Sequence, residues 1–282
     1  MKTIGEILKL STQYLEEQKV SSARLQAEEL LADILGCKRL DLYLRFDQPL
    51  QEKELTPFRE KLRSRVKGEP LGYLLSGADF FHCQLDLSRD VLIPRQETEI
   101  LISKVALELK NESLAGKSAW DLCTGSGCLG IALKKQFPDL DVTLSDLSPK
   151  ALEIAQKNAQ KNDVNVSFFQ GDLLEPFKGK KADFILCNPP YIAEAEHAQL
   201  EREVRDFEPK MALVGGLTGL EFYERLAREL PRFLNGGAKI FFEIGTGQGA
   251  PVLQLFHEAC WTKKRIEKDW AGHDRFFFLE FE

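Results

Sequence analysis

Four consecutive residues, Asn188-Pro189-Pro190-Tyr191, combine groups suited to one kind of chemistry. A planar amide or exocyclic amine nitrogen is a poor nucleophile, because its lone pair is delocalised. An asparagine side-chain oxygen and a nearby backbone carbonyl can each accept one N–H of such an NH2 group. That arrangement turns the lone pair toward an electrophile and favours the positive charge that develops on nitrogen. Prolines fix the backbone and offer carbonyls with no amide hydrogen in competition. Tyr191 provides an aromatic face on which a planar group can pack. The plainer alternative is a proline-rich turn that only caps a strand.

Three signals upstream favour the chemical alternative. The run Asp121-Leu122-Cys123-Thr124-Gly125-Ser126-Gly127-Cys128-Leu129-Gly130 is glycine-rich and satisfies G-x-G-x-x-G through Gly125, Gly127 and Gly130. Such a loop lets a ligand approach the backbone closely. By itself it does not separate a nicotinamide cofactor from S-adenosylmethionine, nor either from an ordinary turn. Asp146 stands where a carboxylate can accept from ribose hydroxyls, which both cofactors possess. In Gly171-Asp172-Leu173-Leu174, Asp172 or its neighbouring backbone could meet an adenine amino group, with Leu173 as an apolar wall. A lone loop aspartate is more often a turn former; its place in the series is what singles Asp172 out.

These residues follow strands. From Ser118 onward the sequence alternates apolar β-like runs with helical ones. Strands are predicted at 119–122, 141–145, 164–170, 182–187, 238–243, 265–268 and 275–281, with helices such as 148–160 and 220–230 between them. That alternation implies an α/β fold with a mainly parallel sheet covered on both faces. In such sheets ligands bind beyond the C-terminal strand ends, where all four signals fall. Upstream, the first seventy-odd residues read as a small helical bundle. Thr3 and Glu6 have capping-box spacing, a helix is expected over 23–35 with Gly36 as its stop, and Thr56-Pro57 reads as N-cap and N1 of another. The stretch 53–67 holds six basic residues against two acidic ones, either a solvated face or a docking surface for an acidic partner. Residues 79–94 suggest a short hairpin, and 94–109 a helix.

At these motifs the chain resembles the HemK/PrmC family of release factor glutamine N5-methyltransferases. Arg24-Leu25-Gln26-Ala27-Glu28-Glu29-Leu30-Leu31 is similar to the family's N-terminal helix. Glu69-Pro70-Leu71-Gly72-Tyr73 and Leu92-Ile93-Pro94-Arg95-Gln96-Glu97-Thr98-Glu99 are similar to its linker signatures. The resemblance implies a Rossmann-like, seven-stranded class I methyltransferase domain at 96–282, a hairpin linker at 76–95 and a helical substrate-docking domain at 1–75. It implies methyl transfer from S-adenosylmethionine to the glutamine of the Gly-Gly-Gln motif in peptide chain release factors. By position, Cys123, Thr124, Gly125, Ser126, Gly127, Asp146, Leu173 and Asn188 would contact the cofactor, beside Asp172 as read from its strand end, and Asn188, Pro189, Pro190 and Tyr191 would hold the glutamine amide. Gln96 stands where the family usually has proline, and Cys123 where it usually has glycine.

Composition narrows the alternatives. A net charge of -6 in 282 residues argues against an enzyme that grips long duplex DNA. That weighs against an adenine or guanine amine in nucleic acid, a rival target for the same tetrapeptide, which would have to be flipped out of its helix. A nicotinamide-binding module would satisfy the glycine loop but leave the tetrapeptide without a role. Six cysteines without a CxxC pair and four scattered histidines give no metal-ligand spacing, so no metal is expected. No apolar run reaches membrane-spanning length, and the N-terminus lacks an apolar signal region. The expectation is a cytoplasmic monomer whose partner is the release factor, with no membrane association and no specific nucleic-acid binding.

Overall fold

The computed structural model describes residues 2–282, which divide into two units, one of residues up to 77 with 201–207 and one of 78–200 with 208–282. The first is helical: α1 (Ile4–Glu17), α2 (Ala23–Ile34), α3 (Asp41–Leu44), α4 (Glu52–Val66) and α5 (Leu71–Leu74). Its core is built from residues three, four or seven apart on the long helices: Ile4, Leu8 and Leu15; Ala27, Leu30 and Leu31; Leu55, Phe58 and Leu62. This spacing places one apolar stripe per helix. The Thr3–Glu6 capping box forms, and Gly36 takes the left-handed φ of +59° just beyond α2.

Two details depart from the sequence reading. Helix α4 begins a turn earlier than Thr56-Pro57, because the Glu54 carboxylate accepts from the Gln51 N–H at 2.7 Å and caps the helix there. Pro57 therefore lies inside the helix. The carbonyl it leaves without a donor belongs to exposed Lys53 and can turn to water. The basic stretch is also partly spent within the unit. Lys61 pairs with Asp33, Arg59 with Glu52, and buried Arg65 with Gln26 and Glu203. Through Glu203 the short helix Arg202–Phe207 belongs with this unit.

The second unit carries the sheet. In chain order it contains β1 (Ala78–Phe80), β2 (Cys83–Leu85), α6 (Gln96–Leu109), β3 (Ser118–Leu122), α7 (Cys128–Gln136), β4 (Asp141–Asp146), α8 (Pro149–Lys161), β5 (Ser167–Gln170), β6 (Ala182–Cys187), β7 (Ile192–Ala193), β8 (Val214–Gly216), α9 (Glu221–Glu229), β9 (Leu234–Glu243), α10 (Gly249–Leu255), β10 (Trp261–Lys268) and β11 (Asp274–Phe281). Seven strands form one sheet in the order β10-β11-β9-β6-β3-β4-β5. The pairs from β9 to β5 are parallel, and β11 is antiparallel to both neighbours.

Side chains alternate between two cores. Ala119, Phe184, Leu186, Phe241, Phe276 and Phe278 face one. Trp120, Leu122, Ile185, Ile240, Phe242 and Phe277 face the other. The period of two divides each strand between faces, and helices cover both. The hairpin β1–β2 packs with this unit as part of its first core. Asn158 and Asn162 of α8 and its C-terminus exchange hydrogen bonds of 2.7–3.1 Å with the backbone of Gln84 and Asp86. The run Val91-Leu92-Ile93 forms no strand. β5 starts three residues later than expected because Val164 donates back to the Ala159 carbonyl and closes α8. Among the described residues no helix is long and apolar enough to cross a membrane.

Candidate active site

The chain lays down β3, β4 and β5 outward in one direction, then returns to place β6 on the other side of β3. The crevice beyond β3 and β6 is therefore the switch point of the sheet. Leu122 pairs with Cys187 and Cys187 with Phe242, so Cys123, Asn188 and Glu243 leave three neighbouring strands at one level. A pocket opens there. Of the residues predicted to bind cofactor, Cys123, Thr124, Gly125, Ser126, Asp146, Asp172, Leu173 and Asn188 line it. Pro190 lines it as well, whereas Gly127, Pro189 and Tyr191 stand back from it. Gly127 has φ +85° and caps α7, so its conformational freedom serves the loop rather than contact.

The first strand end is organised by Asp121. One carboxylate oxygen accepts from the Thr124 hydroxyl at 2.5 Å and from the Gly130 N–H at 2.9 Å. The other is buried with no hydrogen-bond partner, and the residue lines the pocket. Burial raises this carboxyl to about 7, against the opposing Thr124 and Gly130 bonds. Beside it Gly125 has φ +55°, and a Cβ there would meet nothing within 4 Å. The backbone is bare toward the pocket.

Asp146 ends β4. Its oxygens accept from the N–H groups of Gly125 and Ser148, each at 2.9 Å, which leaves each with further acceptor capacity. Burial raises its pKa despite these bonds. Asp172 is tied to Arg225 of α9 at 3.0–3.1 Å, so its carboxylate is already engaged. Leu173, with φ +49°, is buried against the pocket.

Asn188 is held by two residues to which the sequence analysis gives no role in the site. Its Nδ2 donates to the Thr98 hydroxyl at 3.2 Å, and that hydroxyl donates to Glu243 Oε2 at 2.7 Å. The Tyr191 hydroxyl reaches Glu243 Oε1 at 3.4 Å. Thr98 and Glu243 are each 1% exposed. The Tyr191 phenol is raised, chiefly by burial and then by the Glu243 carboxylate. Asp121 was visible as the first residue of the glycine run, and Glu243 as the last residue of a predicted strand; neither was assigned a role. The apolar run Val91-Leu92 lines the pocket, and Glu208 anchors the segment that carries it through the Ile93 N–H and Arg95.

Two family models match the chain: the PrmC N-terminal domain over residues 6–75 and the methyltransferase small domain over residues 96–205. A release factor glutamine methyltransferase of Chlamydia trachomatis serovar L2 is 40% identical over 98% of this chain and 93% of its own length. That of Geobacter sulfurreducens is 37% identical over 97% and 95%. The chain belongs to this family. Its fold is also that of the hMettl16 catalytic domain, solved in complex with MAT2A 3'UTR hairpin 1, with a TM-score of 0.57 at 15% identity over 96% of this chain and 91% of that one. For the family, the shared segments span both the helical unit and the strand ends that build the pocket.

Proposed function

We propose that this chain transfers the methyl group of S-adenosylmethionine to the side-chain amide nitrogen of the glutamine in the Gly-Gly-Gln motif of peptide chain release factors. The observation that carries this reading is the orientation of Asn188. With Nδ2 committed to Thr98, its oxygen is the group left to accept from an incoming NH2. The pocket suits a cationic, nucleoside-bearing donor. Asp121 offers an unpartnered buried carboxylate oxygen, Gly125 a bare backbone, Asp146 acceptor capacity for ribose hydroxyls, and Leu173 an apolar wall. Cys123, Thr124, Ser126 and Asp172 complete that lining, with Asp172 contributing its backbone.

When bound, S-adenosylmethionine supplies a methyl group on a sulfonium whose departure needs no acid. The remaining work belongs to the protein. Asn188 and a backbone carbonyl of the Pro189-Pro190 pair accept the two N–H groups of the glutamine amide, which directs its lone pair and stabilises the charge that develops on it. Tyr191 braces the tetrapeptide through Glu243. The product proton is lost to solvent after transfer, so no strong base is required.

The helical unit is the docking element in this reading. A glutamine amide is too small to distinguish one protein from another, so selectivity comes from surfaces beyond the pocket. Leu40 and Leu44 are 72% and 85% exposed, beside half-exposed Tyr43 and Phe46, and offer a folded partner an apolar patch. The enzyme acts as a cytoplasmic monomer, without specific nucleic-acid contacts. Incubation of unmethylated release factor with the protein and labelled donor, followed by mass spectrometry of the Gly-Gly-Gln peptide, tests the reading. One added methyl on the glutamine is expected; label in RNA or DNA instead would overturn it.

A further inference from the structure

Asn188 is the third member of a chain of hydrogen bonds whose direction is fixed from its far end. Glu243 closes β9 at the level of Asn188 and is buried. An ionised carboxylate has no proton to give. The 2.7 Å contact with Thr98 therefore uses the single hydroxyl proton of Thr98. The Thr98 oxygen is then available only as an acceptor on its remaining side, and the Asn188 amide must turn its NH2 toward it. The same carboxylate takes the Tyr191 hydroxyl, and the Glu243 backbone carbonyl takes the hydroxyl of Tyr223 at 2.7 Å. Resting on the reading above, we infer that Thr98 and Glu243 are positioning residues that set the polarity of Asn188, so that an oxygen rather than an NH2 group faces the target amide.

The alternative polarity has a clear cost. A Thr98 hydroxyl freed from the carboxylate can rotate and donate to Asn188 Oδ1. The amide would then present two N–H donors to a substrate nitrogen that also carries only N–H donors. An acceptor in the site would be replaced by a repulsion, and the developing positive charge on the nucleophile would lose its stabilisation. Protonation of Glu243 permits that rotation. Burial raises the carboxyl to about 7, partly offset by the Thr98 bond and by Arg275 of β11, while Glu97 of α6 and the half-buried Tyr191 also face it. Arg275 is itself turned to the Ile244 carbonyl and the Thr246 hydroxyl at 3.2 and 2.7 Å. The polarity is thus set by ionised Glu243 on the alkaline side and relaxes on the acid side.

The test is a set of full-length variants assayed with intact release factor. Thr98→Val removes the hydroxyl with little change of volume and is expected to lower kcat by about 10–10²-fold, within the range for loss of a preorganised contact. The dissociation constant for S-adenosylhomocysteine should stay unchanged, and Thr98→Ser should recover most of the turnover. Glu243→Gln should flatten the acid limb of the kcat profile, because its side chain no longer titrates. Asn188→Ala is the reference for the site itself. Wild-type kcat in Thr98→Val beside an inactive Asn188→Ala overturns the polarity inference alone; wild-type kcat in both overturns the reading on which it rests. Equal loss in the Val and Ser variants, a parallel loss of donor affinity, or an acid limb retained in Glu243→Gln also counts against it. If Thr98→Val does not fold, the Ser variant and the Glu243→Gln profile decide the matter.

Discussion

Gly215 lies against the carbonyl of Pro190 so closely that a Cβ built on it would stand 2.3 Å from the oxygen and 3.1 Å from the Tyr191 Cα. Strand β8 thus presses on the backbone of the Asn188–Tyr191 tetrapeptide. The pairing of Ile192 with Val214 continues that contact. A methyl group fits only if the tetrapeptide and β8 move apart. Gly215→Ala should therefore lower kcat on the order of 10²-fold, as expected when a reacting group is displaced by about 1 Å. The circular dichroism spectrum should stay unchanged. Full activity in the variant would mean that the tetrapeptide tolerates displacement.

Asn188→Ala removes the oxygen proposed to accept the substrate N–H, and leaves the Thr98 hydroxyl with one partner fewer. Turnover should fall by about 10²–10³-fold. The melting temperature should change little. Single-turnover rates with saturating donor and release factor make the comparison, and a variant with near wild-type rate would remove Asn188 from catalysis.

Asp146→Ala deletes the acceptor proposed for the ribose. It also strands the N–H groups of Gly125 and Ser148 that the carboxylate now receives. An unpaired polar group costs roughly 1–3 kcal/mol, so donor affinity should fall about ten- to hundredfold. Isothermal calorimetry with S-adenosylhomocysteine measures this directly; an unchanged dissociation constant would exclude Asp146 from the site.

The strand ends were legible because each follows a short apolar run and carries a polar or glycine signal in one stretch of chain. β6 was read at its observed limits, Ala182–Cys187, and the motif after it supplied Asn188. Thr98 and Glu243 were not legible in the same way. They lie 145 residues apart in the chain and meet only when α6 packs against the end of β9. No local pattern announces such a pair. Glu243 also ends a strand of phenylalanines and isoleucine, where one acid reads as a boundary. The α4 error has the opposite cause. Thr56-Pro57 is a strong local start signal, and it lost to a Gln51–Glu54 cap a turn upstream. The Schellman-type closure of α8 likewise took Val164 from the strand that its side chain suits.

The helical unit offers a prediction about substrate alone. Leu40→Ser combined with Leu44→Ser changes two exposed side chains that take no part in the buried core of that unit. Surface substitutions of this kind shift stability by about 0.5 kcal/mol or less. KM for intact release factor should rise by about tenfold or more if the patch is a centre of docking. Donor affinity and the melting temperature should stay as in the wild type. Unchanged KM would place the docking surface elsewhere.

The last prediction concerns Asp121 and pH. Its carboxyl titrates near 7 in the folded protein, raised by burial from the ordinary carboxylate range. The folded state then holds the proton more tightly than the unfolded chain does. The stability tied to that proton is fully present below the ordinary carboxylate range and is lost as pH rises through about 7. Above that point the ligand-free protein carries a buried carboxylate with one oxygen unpartnered. A cationic donor in the pocket compensates this charge, so donor binding should strengthen as the carboxyl ionises. The rise in melting temperature caused by S-adenosylmethionine should therefore be larger at about pH 8 than at about pH 6. Asp121→Asn removes the titrating group while keeping an acceptor toward Thr124 and Gly130. The difference between the two pH values should shrink in that variant. If wild type and variant show the same dependence, the Asp121 charge does not contribute to holding the donor.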